Sequence, residues 1–196
     1  MKFNTIKKTI YTSIWGTIIA IGSLLATPVN ALTLDDSTVS AAVYCCSAPT
    51  ETYRVSNFVS ATVADGIEFP ENSFTSIISG ISVIPLNIDI GTTTIDLHYT
   101  GSAIAASGTF NGYVFSFSGA PTITNVTINA ASTFNPTGLS FTTDSVLVDN
   151  AGLHFTSSSH LLLDVSLVPE PSTYAMLIVG VLTILLAYRR RNQHQA

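Results

Sequence analysis

The sequence predicts an all-β body, a β-sandwich open to jelly-roll connections, set between an N-terminal signal peptide and a single C-terminal transmembrane helix. Three observations carry this expectation. Apolar residues in the middle of the chain alternate with polar ones at a spacing of two, glycine and proline fall between these runs, and each end combines an apolar stretch with a basic cluster.

In residues 1–31, Lys2, Lys7 and Lys8 precede a mainly apolar stretch from Ile10 to Ala26, and the small residues Val29 and Ala31 stand just before Leu32. This is the layout of a secretory signal peptide, cleaved between Ala31 and Leu32 after delivery by the Sec export machinery. Thr12, Ser13, Thr17 and Ser23 break the apolar part, which argues against a retained anchor. Cys45 does not mark a lipoprotein, because Tyr44 rather than a small residue directly precedes it.

Residues 32–167 are the length of one domain with a sizeable core. They hold eleven acidic side chains and one basic one, Arg54, whereas the other six basic residues of the chain lie in its two ends. A body with no lysine has no cationic surface for phosphates, which excludes nucleic acid as a partner.

The runs themselves read as strands. Ile84, Leu86, Ile88 and Ile90 alternate with Pro85, Asn87 and Asp89; Ile95, Leu97 and Tyr99 alternate with Asp96 and His98. Residues 123–128 alternate less cleanly, and Leu161, Leu163, Val165 and Leu167 make a last strand. About nine or ten strands are expected. Asn111-Gly112 accepts the positive φ angles of a two-residue turn, so residues 108–118 are expected to form a hairpin.

Few side chains suggest chemistry. Cys45 and Cys46 are adjacent; in a strand they would face opposite ways, and a bond between them must close over Cα atoms about 3.8 Å apart. An intermolecular disulfide, giving a linked dimer, or two free thiols is therefore expected ahead of a vicinal bond. Asp96 and His98 share a strand face, and His154 and His160 flank a Thr/Ser loop; a polar face and a histidine-containing loop account for them better than a metal or acid–base site. Asp65, Glu68 and Glu71 lack the regular spacing of a calcium loop, and solvated acids are the simpler reading. No serine elbow, zinc-binding helix or phosphate loop is present, so no catalytic residue, metal site or cofactor is assigned.

At the C-terminal end, residues 168–191 read VPEPSTYAMLIVGVLTILLAYRRR. Ser172 to Tyr188 is 17 residues without a charge, the lower end of what spans a bilayer as a helix. Tyr174 and Tyr188 suit the headgroup layers, and Arg189, Arg190 and Arg191 form a membrane stop that leaves residues 192–196 as a cytoplasmic tail. Pro169 and Pro171 keep the segment around Glu170 extended.

Tripeptide, apolar span and arginines in this order resemble the sorting tail of the PEP-CTERM proteins, exported bacterial proteins handled by a membrane protease of the exosortase type. The resemblance implies that Pro169, Glu170 and Pro171 are the recognition element, that the span holds the precursor in the membrane, and that the arginines fix its orientation. Residues 66–69, 110–115, 123–128 and 146–155 also look like the all-β module found ahead of such tails, a likeness that carries no catalytic residue.

The expectation for function is an exported, non-enzymatic envelope, cell-surface or extracellular-matrix protein. Its β-domain is structural or binding, with extracellular polysaccharide as one partner, and its tail is sorted and cleaved. The alternatives are a secreted enzyme acting on polysaccharide through carboxylates such as Asp96, Asp144, Asp149 or Asp164, which would have to face each other across a cleft, and a calcium-dependent carbohydrate-binding module.

Overall fold

The computed structural model describes residues 32–168, 177–185 and 188. The expected signal peptide up to Ala31, the Pro169-Glu170-Pro171 motif, Arg189–Arg191 and the ends of the expected span lie outside the described residues. Residues 177–185 are helical and exposed. Among the described residues no helix is long and apolar enough to cross a membrane.

The body is all-β and antiparallel. Twelve strands are described: β1 (Thr38–Tyr44), β2 (Val59–Thr62), β3 (Ile67–Phe69), β4 (Leu86–Ile90), β5 (Thr94–Tyr99), β6 (Ala103–Ile104), β7 (Gly112–Ser118), β8 (Thr122–Ile128), β9 (Gly138–Phe141), β10 (Ser145–Asp149), β11 (His154–Phe155) and β12 (His160–Val168). Ten of them make two five-stranded sheets, ordered β2-β1-β7-β10-β9 and β3-β4-β5-β12-β8, and β6 pairs with β11 in a short ribbon. Twelve strands exceed the expected nine or ten, the two-residue β6 and β11 being too short to show an alternating run.

One hydrophobic core joins both sheets. Val39, Ala41 and Val43 of β1, Phe115 and Phe117 of β7, and Val146 and Val148 of β10 meet Ile88 and Ile90 of β4, Ile95, Leu97 and Tyr99 of β5, and Leu161, Leu163 and Val165 of β12. The alternation read in the sequence is the cause: in β4, β5 and β12 as far as Val165 every second residue is buried, and the residues between them face out. β1 departs from it. Ala42 and Tyr44, on its other face, are also buried, in a small cluster with Phe110, Val114 and Leu147, so β1 is apolar on both sides and shows no period of two.

The irregular pattern of β8 has a local origin. Its register against β12 slips between Ser166 and Leu167, where Asn125 pairs with Ser166 but Ile123 pairs with Leu167. The extra residue, Thr124, lets Ile123 and Val126, three apart, both turn inward.

The hairpin expected at Asn111-Gly112 is not formed. β7 begins at Gly112 and pairs with β1 and β10 instead, and neither Asn111 nor Gly112 has a positive φ. The glycine answers a different requirement. A Cβ on Gly112 would fall 1.8 Å from the carbonyl oxygen of Val148, so only glycine lets β7 approach β10 at this point. Asn111 is tied to the same neighbour: its N–H donates to Asp149 Oδ1 at 2.8 Å and its carbonyl accepts from the N–H of Asn150 at 2.8 Å.

Candidate functional site

The second sheet carries the densest set of chemically active side chains on its outer face. Strand register builds it. Asn87 stands opposite His98 and Asp89 opposite Asp96 across β4 and β5, while His160 stands opposite His98 across β5 and β12. Because these residues occupy the alternate positions of strands whose other positions are buried, all five project from one face, where with Ile67 they line an open depression.

Within it, His160 Nε2 lies 2.7 Å from Asp96 Oδ1, an ion pair when the imidazole is protonated, although the approach lacks the alignment of a hydrogen bond. The His98 and His160 rings are perpendicular with centroids 6.0 Å apart. Partial burial lifts the Asp89 carboxyl above its ordinary range, and the negative charges of Glu68, Asp96 and Asp65 add to the effect. The face therefore offers several acceptors, the amide of Asn87 and two imidazoles in a shallow, solvent-open setting. The imidazoles are the only aromatic rings among its lining residues, and it is open to solvent. Among the described residues no three His, Cys, Asp or Glu side chains are arranged to hold a metal ion.

The other nominated carboxylates have structural partners. Asp144 accepts from the hydroxyls of Thr142 at 2.7 Å and Ser145 at 3.0 Å, which lowers its pKa. Asp149 Oδ1 accepts from the N–H groups of Asn111 and Ala151. Both carboxylate oxygens of Asp164 accept from Asn129 Nδ2, at 3.0 and 2.9 Å. Asp144 and Asp149 bound β10 in the first sheet, whereas Asp96 and Asp164 belong to the second. Of the Asp65, Glu68 and Glu71 group, Glu68 clips the start of β3 to β4: its two oxygens accept from the N–H groups of Ala64 at 2.9 Å and Ile90 at 2.7 Å. His154 lies in β11, paired with Ile104, away from His160. Arg54 is engaged locally, donating to Glu51 at 3.0 Å and lying 4.3 Å over the ring of Phe58.

The cysteines correct the sequence expectation. Cys45 and Cys46 are bonded to each other, with Cα atoms 3.7 Å apart, and no free cysteine is left for an intermolecular bridge. β1 ends at Tyr44 and Cys46 adopts a left-handed φ of 76°, so the two side chains are not held on opposite faces of a strand. The segment between β6 and β7 is fitted closely to this bend: a Cβ on Gly108 would meet the backbone of Cys46 at 2.6 to 2.8 Å.

Sequence reading singled out Asp96, His98 and His160 but could not join them, since His160 comes from a strand 62 positions beyond His98. Asn87 and Asp89 were visible only as the polar half of an alternating run.

Fold and face together define an antiparallel, two-sheet β-protein with a polar, histidine-containing sheet face. No protein-family model matches the chain, and neither the curated proteins nor the solved structures contain a match to it.

Proposed function

We propose that this chain is an exported, non-enzymatic surface or matrix protein whose β-sandwich body acts as a structural or binding module, delivered through a PEP-CTERM-type tail. One observation carries the reading: Pro169-Glu170-Pro171, a charge-free run to Tyr188, and Arg189–Arg191 follow one another in the order that such a tail requires. In this reading residues 172–188 span the membrane, the arginines remain on the cytoplasmic side, and an exosortase-type protease cuts near the tripeptide on the outer side. The Ser- and Thr-rich body with a single arginine agrees with work outside the cell. Its outer sheet face, with Asn87, Asp89, Asp96, His98 and His160, is the surface we assign to polysaccharide hydroxyls.

For the carboxylate-enzyme alternative, Asp144, Asp149 and Asp164 serve local turns or strand contacts, which leaves Asp96, opposite Asp89 on the open face, as its remaining candidate. Fractionation of host cells with and without the sorting protease tests the proposal. The mature body is expected in the surface or extracellular fraction of cells that have the protease, and as a membrane-held precursor in cells that lack it. Identical fractions in both would overturn it.

A further inference from the structure

β12 is held unevenly along its length. From His160 to Asp164 it pairs with β5, a contact that Val165 extends by donating its N–H to the Thr93 carbonyl. From Leu163 to Val168 it pairs with β8 on its other side. Ser166, Leu167 and Val168 lie beyond the last contact with β5, and among the described residues their strand partners are Asn125, Ile123 and Thr122, all in β8. That remaining hold is weak. The register slips between Ser166 and Leu167, which interrupts the ladder, and the Ile123 N–H is turned away from β12 and donates to the Thr143 carbonyl. Ser166 keeps one further tie, its carbonyl accepting from the Thr124 hydroxyl at 3.1 Å. Ser166 and Val168 are exposed and Leu167 is half-buried. A strand end paired on one side and little buried opens at low cost.

Pro169-Glu170-Pro171 follows Val168 with no linker between them. With the membrane span starting at Ser172, three residues, about 10 Å when fully extended, separate the end of the strand from the bilayer. A five-stranded sheet is about 20 Å across, so a protease acting at the tripeptide meets the folded body at once. We propose that Ser166–Val168 peels from β8 and enters the cleft of the exosortase-type protease as an extended strand, read together with the tripeptide; this rests on the sorting reading above. Extended peptides are gripped through main-chain hydrogen bonds, and peeling frees the main-chain groups that β8 engages while doubling the length of chain ahead of the span. Asp164 sets the limit of peeling. It is paired with Thr94 on one side and Thr127 on the other, and its carboxylate accepts from Asn129 Nδ2, so the body stays folded while its last residues are handed over.

The test follows conversion of precursor to mature protein by pulse-chase in the native host. Thr122 and Val168 stand directly opposite each other, so a disulfide in Thr122→Cys/Val168→Cys ties the end of the strip to β8. Cutting of this double variant should be about tenfold or more slower than that of Val168→Cys alone, because only the peeled fraction is a substrate. A linker of about six Gly and Ser residues between Val168 and Pro169 should speed cutting of the unaltered body and restore cutting of the double variant. Equal rates for the single and double variants, with the bond verified by mass spectrometry of non-reduced peptides, would overturn the proposal and leave the sorting reading intact. An unaltered chain that is never cut would overturn the sorting reading, and this proposal with it. If the double variant does not fold or its bond does not form, the linker in the unaltered body decides: faster cutting upholds the proposal and an unchanged rate overturns it.

Discussion

Asp89 faces Asp96 directly across β4 and β5, two carboxylates on one sheet face, and His160 closes on Asp96 from the other side at 2.7 Å. Like charges opposite each other on adjacent strands oppose pairing. Partial burial raises the Asp89 pKa, and the charges of Glu68, Asp96 and Asp65 add to it.

That shift fixes the sign of a pH effect. A carboxyl whose folded pKa lies above its unfolded value contributes stability that is full below the unfolded value and lost as pH rises through the folded one. Asp89→Asn should therefore stabilise the body near neutral pH by a few tenths to about 1 kcal/mol, and the gain should fade in acid, below the ordinary carboxylate range. Asp144→Asn should do the opposite at neutral pH, because hydrogen bonds lower the Asp144 pKa and its contribution is lost only as pH falls. Urea unfolding of both variants across the acid-to-neutral range checks the pair; a gain for Asp89→Asn that grows in acid would contradict the assignment.

Gly112→Ala should destabilise strongly, by about 3 kcal/mol or more, since backbone rather than a movable side chain occupies the space a methyl needs. Gly119→Ala, at a turn with φ of 79° and open space around the position, should cost only about 1 kcal/mol. Similar midpoints for the two variants in chemical unfolding would show that β7 can move away from β10.

The vicinal bond predicts a monomer on non-reducing gels and no alkylation of the folded or unfolded chain until reductant is added, after which both Cys45 and Cys46 are labelled. A reductant-sensitive dimer band would refute it.

For the proposed sorting tail, Glu170→Ala should leave most of the protein as an uncut, membrane-held precursor, whereas the unaltered chain should be released. Mass spectrometry of the mature C-terminus gives the readout. Peptides containing residues 188–196 in the surface fraction would mean that the tail is a permanent anchor.

The strands that sequence resolved are those with one buried and one exposed face. Ile95, Leu97 and Tyr99 are completely buried, and the polar residues between them face out, so burial and period agree. β1 stayed hidden because a strand apolar on both faces has no period to detect. Asn111-Gly112 misled for a related reason: glycine satisfies both a positive φ and a close backbone approach, and only the position of Val148 distinguishes them. The polar face was half legible. Asp96 and His98 are two apart in one strand, but the contact with His160 depends on a long-range register that no local pattern encodes.

The position of β12 has a consequence for the order in which the chain becomes native. β12 is an interior strand, hydrogen-bonded to β5 on one side and β8 on the other, and it ends at Val168. β1 likewise waits for β7, its Thr38 pairing with Ser118. A chain synthesised from its N-terminus thus carries β5 and β8 with an unfilled gap between them until β12 is made, and loop closure over such separations is slow. The second sheet is completed only when the last strand is available, which makes β12 the step that joins β5 to β8.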